Sequence, residues 1–440
     1  MKVVIMCGGK GNRMVPITKD KALLDFLGKP LIVHQIDTAV KAGLNKFIII
    51  ANSNNIADLK SSLTEIKGVE IEFGLQEQSG GMADALLSVS NLLSGEPFIL
   101  VNSNDIFNPS AYTNLLSELD SNGSYSSYIM ARYVQEYFPG GYLVTNENNE
   151  ISHIVEKPPI GKEPSNLVNI VIHLHNKSDQ LLKELRNTSS TRDDIYERSL
   201  DQMIRNGHKM KAVPYEGDWQ AIKYPWHILN AMEYFSNNIE KQISPSSNIS
   251  GKAVIEDKVI IEDNVRVLEG AIIRGPSYIG QNSIIGNGAL IRDSFIGNDC
   301  VVGYCTEIKH SYIGNKCWFH TNYVGDSIIE DDCSFGSGAV TANFRLDESS
   351  ICLRVNDNKI DTGRDKLGAI IGKGCRVGIN ASIMPGVRVG ADSFVGAHVY
   401  LTHDLEPGKK ALSKSQYITM SNNSGPREDK RKGLLKKLTD

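Results

Sequence analysis

Two rhythms of apolar residues divide the chain. Up to about residue 240, short β-branched runs alternate with stretches whose apolar residues recur at helical spacing. The runs at 3–7, 47–51, 69–73 and 98–101 read as buried strands. Segments near 31–42, 56–66 and 81–93 read as helices, and Asn108-Pro109 caps another. Pro30 opens the first of these and Gly43 closes it, while Pro225 opens a last helix that ends near Glu240. Alternation of this kind predicts a mostly parallel sheet with helices on both faces, and ligands beyond the carboxyl ends of its strands.

After residue 240 the period changes. Val/Ile-Gly pairs recur at Ile279-Gly280, Ile285-Gly286, Ile296-Gly297, Val302-Gly303, Ile313-Gly314 and Val324-Gly325. Later the aliphatic positions 371, 377, 383, 389, 395 and 401 keep an unbroken six-residue spacing. A repeat of six predicts a β-helix, each aliphatic pointing into a prism-shaped core and turn residues marking the corners. Residues 344–369 break the period and should leave the stack as a loop carrying Arg345, Asp347, Arg354, Arg364 and Lys366. The organisation is therefore 1–240, 241–410 and a tail, 411–440. The tail's Arg427, Lys430, Arg431, Lys432, Lys436 and Lys437 suit a solvated or partly helical end.

Composition narrows the class. A chain of 440 residues is too long for one core. With 41% hydrophobic and 22% charged residues it is an ordinary globular sequence, and a net charge of -4 gives no reason to expect nucleic acid as a partner. No apolar run reaches transmembrane length, and the sequence starts on a strand rather than a signal peptide, so no membrane role is expected. The seven cysteines are an odd number without a Cys-x-x-Cys pair, which argues against a disulfide framework or a zinc site and points to a reducing cytoplasm. Cys300, Cys305, Cys317, Cys333, Cys352 and Cys375 read as small apolar fillers.

Candidate chemistry starts where the first apolar run stops at Gly8-Gly9. Gly11, Arg13 and Lys21 follow. Glycines let backbone N–H groups approach phosphate oxygens, Arg13 offers a planar fork of donors to a triphosphate, and Lys21 a point charge. The spacing is neither Walker-type nor Gly-x-Gly-x-x-Gly, since Met14 stands in the last place. Gln76 carries an amide able to pair with a base edge, and Gly81 lets a base lie on the backbone. Asp105 ends a strand with a carboxylate suited to Mg²⁺.

Together with Pro16, Thr18 and Gly28-Lys29-Pro30-Leu31, this loop resembles the signature of sugar-1-phosphate nucleotidylyltransferases, departing from it at Asp20. The resemblance implies a Rossmann-like nucleotidyltransferase domain in which Gly8, Gly9, Gly11, Gln76 and Gly81 bind the nucleotide and Asp105 the metal, although Asn104 replaces the usual glycine. Glu156-Lys157-Pro158 resembles the family's Glu-Lys-Pro motif, so Glu156 and Gly141 would receive the sugar and Lys157 its phosphate. Asn169 matches a sugar-binding Asn, with Val171 in place of a glycine. At Trp219-Gln220-Ala221 the relatives' second metal carboxylate is replaced by Ala221. That leaves a one-carboxylate Mg²⁺ site completed by substrate phosphates, or a reduced or lost nucleotidylyl transfer. The implied reaction is in-line attack of a sugar-1-phosphate oxygen on the α-phosphorus, with pyrophosphate leaving and Arg13, Lys21, Lys157 and Mg²⁺ neutralising charge.

The six-residue repeat resembles the left-handed parallel β-helix of hexapeptide-repeat acyltransferases, usually trimers that bind acyl-coenzyme A between neighbours. The implied fold is α/β plus all-β. Lys309, then His320-Thr321-Asn322-Tyr323-Val324-Gly325-Asp326, then Phe335 to Asn343, are similar to the acetyltransferase half of bifunctional glucosamine-1-phosphate acetyltransferase/N-acetylglucosamine-1-phosphate uridylyltransferases, in their archaeal-type layout. The resemblance implies His320 as general base, Tyr323 and Asn343 orienting sugar and acetyl group, and Arg292 and Lys309 on the phosphate. Acetyl-CoA would be co-substrate, UTP with an N-acetylhexosamine-1-phosphate the default pair, and a homotrimer the assembly. The basic residues of 344–369 would either stay solvated or reach a phosphate or the coenzyme. Nucleotidyl transfer alone with the β-helix as an oligomerisation module, or a regulatory protein with a decayed first site, are the alternatives.

Overall fold

The computed structural model describes every residue except 79, 122, 238, 356–357, 415–417, 423–427 and 440. Its first half is built on one twisted sheet. Strands β1 (Lys2–Met6), β2 (Lys46–Ala51), β3 (Glu70–Leu75) and β4 (Phe98–Asn102) run parallel in the order β4-β1-β2-β3. They are linked by helices α1 (Leu31–Lys41), α2 (Ile56–Leu63) and α3 (Gly81–Ser88). Beyond them come β5 (Asp105–Phe107), α4 (Ser110–Ser121), β6 (Ser127–Tyr133), β7 (Gly141–Thr145), β8 (Ile151–Glu156) and β9 (Leu167–His175). Helices α5 (Ser178–Asn187) and α6 (Ile195–Arg205), strands β10 (Met210–Pro214) and β11 (Trp219–Ala221), and α7 (His227–Ser236) complete this half.

The expectation of a mostly parallel sheet holds for β1 to β4 and for the pairing of β10 with β6. β9 is antiparallel to β4, to β6 and to β7, and β7–β8 is a hairpin. The cause is connection length: the 146–150 turn between β7 and β8 has no room for a crossover helix, so the strands must run back. Both faces of the sheet are covered, as its unbroken apolar strands require. Val3 and Ile5 pack with α1, α2 and α4, whereas Val4 and Met6 pack with α3, α5 and α6.

The second half is a three-faced parallel β-helix. Among the described residues its short strands form parallel sheets of eight, nine and eight. Positions 371, 377, 383, 389, 395 and 401 all point into the interior, none more than 9% exposed. Cys300, Cys317, Cys333 and Cys375 are buried in that core, as small fillers should be. Cys305 is exposed at a corner, however, and Cys352 is half-buried outside the stack. Its left-handed backbone (φ 50°) marks Cys305 as a turn position whose side chain faces outward.

The halves share a core of their own. Tyr278, Phe295, Tyr312, Ile328 and Ile370 project from one outer face of the β-helix and pack against Trp226, against Ile228, Leu229 and Met232 of α7, and against Met14, Phe26 and Leu31. The break in the repeat belongs to this core. Residues Cys352–Val355 and Asn358–Asp361 form an antiparallel hairpin, and Ile351, Leu353 and Val355 are buried under it. Arg364 donates to Glu233 at 2.9 Å and to Asn230 at 2.8 Å, both on α7. So the insertion is neither a purely solvated loop nor, at Arg364, a free phosphate ligand: it straps the β-helix to the first half. In the tail, Arg427 lies outside the described residues, and Glu428–Thr439 is a helix with Lys436 and Lys437 in its last turn.

Candidate active sites

The carboxyl ends of β1, β3 and β4 open into a cavity of about 510 Å³. Its walls include Gly8, Gly9, Gly11, Arg13, Lys21, Gln76, Gly81, Asp105, Gly141, Glu156, Lys157 and Asn169. Every residue assigned to nucleotide, sugar, phosphate or metal in the first half thus reaches one space, drawn from segments up to about 160 positions apart in the chain. Asp20, the departure from the family signature, has a local task. Its Oδ1 caps the Lys21 turn through the Ala22 N–H at 2.9 Å, and its Oδ2 accepts from Asn55 at 2.8 Å. Asn55 in turn holds the Cys7 carbonyl at 2.7 Å, so the turn bearing Lys21 is tied to the end of β1. Burial holds the Lys21 amine below the usual lysine range despite Asp105 and Asp20 nearby.

Close contacts explain the glycines. A Cβ on Gly8 would lie 2.0 Å from Gln76 Oε1, and one on Gly81, whose φ is +74°, would lie 2.0 Å from Asp193 Oδ1. The Gln76 amide is already committed: its Nε2 donates to the Gly81 carbonyl and to Asp84, both at 3.0 Å. Gln76 therefore shapes the pocket wall in this state, and the base edge it was expected to read meets a pre-bonded amide. On the opposite wall a Cβ on Gly141 would meet Asn169 Nδ2 at 2.9 Å and Glu156 Oε2 at 3.0 Å, which places those three groups side by side. Lys157 pairs with Glu156 at 2.7 Å.

The structure adds residues that the sequence reading passed over. Asp193 and Glu197 enter from the start of α6, and burial together with Glu156 pushes the Glu197 carboxyl up to about 7. The four-residue spacing at the head of a helix was the available signal. Lys223 enters just after β11. Burial pushes its amine down to about 8, partly offset by Asp105. Its Nζ stands 3.8 Å over the Phe138 ring.

Whether Asp105 can hold Mg²⁺ is tested by what surrounds it. It is 3% exposed, accepts from Trp219 Nε1 at 3.1 Å and from the Asn102 amide, and has the Lys223 and Lys21 ammonium groups as its charged neighbours. β11 pairs with β5 so that Ala221 lies opposite Asp105 and supplies no side-chain oxygen. No group of three acidic, His or Cys side chains able to hold a metal exists among the described residues. Burial pushes the Asp105 carboxyl up despite those two donors and two cations, and a hard cation needs several oxygen ligands, of which the side chains here supply one carboxylate. The residues present do not fit a protein-held divalent ion.

On the β-helix, stacking brings Lys309, Tyr323 and Asn343 into one group. Asn343 Nδ2 donates to the Tyr323 hydroxyl at 3.3 Å and to the Asp326 carboxylate, and Lys309 lies 3.4 Å from Asp326. Arg292 sits one coil below Lys309 but is drawn to Glu307, 3.1 Å from its Nε. His320 stands at the corner before Tyr323 with an exposed side chain, and its backbone N–H donates to Asn322 at 2.8 Å. The structure does not join it to the Lys309 group through any hydrogen bond among the described residues. His310 is the unforeseen member. Its Nδ1 lies 2.9 Å from Asp326 and its Nε2 3.0 Å from Glu233 of α7. Burial opposes the charge, but these two carboxylates raise the imidazole to about 9.

Residues 2–233 match the nucleotidyl transferase family. The chain belongs to it. Residues 258–293 and 368–403 match the bacterial transferase hexapeptide repeats. Over nearly its whole length the chain is similar to a "Bifunctional protein GlmU" of Methanococcus maripaludis, 31% identical over 95% of this chain and 98% of that protein. It is also similar to a "Bifunctional sugar-1-phosphate nucleotidylyltransferase/acetyltransferase" of Sulfurisphaera tokodaii, 32% identical over 93% of this chain and 99% of that protein. Among solved structures, a UDP-glucose pyrophosphorylase complexed with UDP-glucose covers 53% of this chain and 97% of its own, at 21% identity and a TM-score of 0.47. The chain is thus a transferase of this family that carries a hexapeptide-repeat half, and no helix among its described residues is long and apolar enough to cross a membrane.

Proposed function

We propose that the chain makes a nucleotide sugar in two places. The first half transfers a nucleotidyl group from a nucleoside triphosphate, UTP by default, to a sugar-1-phosphate such as an N-acetylhexosamine-1-phosphate. The second acetylates an amino sugar phosphate from acetyl-CoA. The observation that carries the reading is the single cavity in which a glycine loop, two cations of the phosphate end and the Gly141–Glu156–Asn169 wall converge. Arg13 and Lys21 receive the triphosphate, which arrives as its Mg²⁺ complex. Lys157 draws in the sugar phosphate, and Glu156 and Asn169 hold hydroxyls over Gly141. Attack then occurs in line, with the pyrophosphate charge stabilised by fixed cations.

For acetyl transfer, His320 takes the proton of the attacking amine from its exposed place at a corner of the stack. Tyr323 and Asn343 orient the acceptor, and Lys309 and Arg292 hold its phosphate. A homotrimer would cover the in-register outer row of Ile284, Val301 and Trp318, the last 58% exposed, and would bring a neighbour's wall to His320. Seven free cysteines suit a reducing cytoplasm. The test is pyrophosphate release with four nucleotides against a panel of sugar-1-phosphates, run beside free-thiol release from acetyl-CoA on amino sugar phosphates. Turnover in both assays supports the reading. Silence in the first with turnover in the second leaves the acetyltransferase alone.

A further inference from the structure

We propose that Lys223 is the built-in cation of the nucleotidyl site, its ammonium acting on the phosphates where a protein-bound divalent ion would otherwise be needed. The inference rests on the nucleotidyl-transfer reading above and names the charge that makes that site work. Three observations carry it. First, the backbone fixes where Lys223 begins. Ala221 pairs with Asp105 across β11 and β5, the Ile222 N–H donates to the Asn104 carbonyl at 2.9 Å, and the Lys223 N–H turns back on the Ala221 carbonyl at 3.1 Å. His227 Nδ1, 2.7 Å from the same Ala221 carbonyl, braces the turn from α7.

Second, the side chain is steered inward. Its Nζ sits over the Phe138 ring at 3.8 Å, and Phe138 packs on Trp219 with ring centroids 5.4 Å apart. Trp219 in turn donates to Asp105. An aromatic wall on one side and a carboxylate on the other hold an ammonium without consuming its three donors.

Third, the charges that act on this amine come from both ends of the cavity: Asp105 and Arg13 at the triphosphate end, Glu156 and Lys157 at the sugar end. Lys223 lines the one cavity that holds Arg13 and Asp105 at the triphosphate end and Glu156 and Lys157 at the sugar end, within which the new bond must form. In that reaction a sugar-phosphate oxygen bonds the α-phosphorus. The bond from the α-phosphorus to the bridging oxygen breaks, and pyrophosphate departs with its electron pair. The ammonium transfers no proton: it neutralises charge on the non-bridging oxygens. Ala221 is the counterpart of this arrangement, since a second carboxylate opposite Asp105 would draw the ammonium into an ion pair and away from phosphate.

The experiment uses the full chain and two readouts. In the first, pyrophosphate release is followed at fixed nucleotide while Mg²⁺ is raised past equivalence. The wild type should saturate once the nucleotide is complexed. Lys223→Met should lose about 10²-fold or more in kcat, the scale of deleting one fixed transition-state donor. Lys223→Arg should keep most of the rate, and acetyl transfer should be unchanged in both. The second readout is Mn²⁺ binding by electron paramagnetic resonance without nucleotide. The wild type should bind none at this site, whereas Ala221→Asp/Lys223→Gly should bind about one ion and, in the first assay, require excess Mg²⁺. A wild-type Mn²⁺ site abolished by Asp105→Asn, or a Lys223→Met enzyme within threefold of wild type, overturns the proposal. Absence of pyrophosphate release with every nucleotide would instead overturn the nucleotidyl-transfer reading, and the Mn²⁺ readout would still decide whether Lys223 excludes the ion.

Discussion

Removing the Glu330 carboxylate should loosen the phosphate loop from a distance. Glu330 belongs to the β-helix, is 4% exposed, and reaches across to the segment between Arg13 and Lys21. Its Oε1 accepts from the Thr18 N–H at 3.0 Å, the Thr18 hydroxyl at 2.8 Å and the Lys19 N–H at 2.6 Å, while Oε2 accepts from the Lys373 N–H at 2.8 Å. Hydrogen bonds to a charged group are worth about 1.5–3 kcal/mol each, but Thr18 and Lys373 are exposed enough to regain water. Glu330→Ala should therefore cost about 3 kcal/mol, well short of the sum of its bonds. Glu330→Gln can still place its one carbonyl oxygen toward Thr18 and Lys19 and should cost about half as much. Denaturant unfolding followed by tryptophan fluorescence measures the loss. Nucleotide KM should rise as well, because Thr18 lies three residues before Lys21. A loss below about 0.5 kcal/mol with an unchanged KM would refute the reasoning.

Other outcomes follow from single contacts. Gly8→Ala places a methyl group 2.0 Å from the Gln76 amide and should abolish nucleotidyl transfer while sparing acetyl transfer, read in the two enzyme assays. Gly141→Ala should raise the sugar-phosphate KM several-fold more than the nucleotide KM, since the new Cβ crowds Asn169 and Glu156. His310, raised in the folded chain from 6.5 to about 9, contributes stability that is complete below about pH 6.5 and is lost as pH rises through 9. The loss is on the order of 3 kcal/mol, and it should vanish in His310→Gln when unfolding is measured at pH 6 and pH 9.5.

Much of this was legible in the residues. A strict period of six reports which side chains point inward, so positions 371 to 401 announced the β-helix directly. Gly8, Gly9 and Asp105 were legible because they follow apolar strands of a parallel sheet, whose ends converge, whereas Gly81, Gly141, Glu156 and Asn169 were legible through the motif order. Periodicity says nothing about which outer face of a β-helix is covered, however. Tyr278, Phe295 and Tyr312 stand at outward positions of the repeat, and only the packing of α7 and of Ile351, Leu353 and Leu367 buries them. The sequence leaves the strap open between a solvated loop and one that reaches a phosphate or the coenzyme, and its packing on α7 is not legible because its buried aliphatics follow no repeat. Lys223 was missed for a related reason: the change at Ala221 drew attention to a lost carboxylate, and the compensating charge arrives two residues later from a turn. His310 escaped notice because its partners, Glu233 and Asp326, come from different halves of the chain.

The central claim is that one chain runs two separate transferase sites. The most direct measurement compares pyrophosphate release and acetyl-CoA thiol release for the wild type, Arg13→Ala and His320→Ala. The account predicts two activities in the wild type, loss of only the first in Arg13→Ala, and loss of only the second in His320→Ala. Substitutions that leave both rates unchanged, or that abolish both together in folded protein, would contradict it.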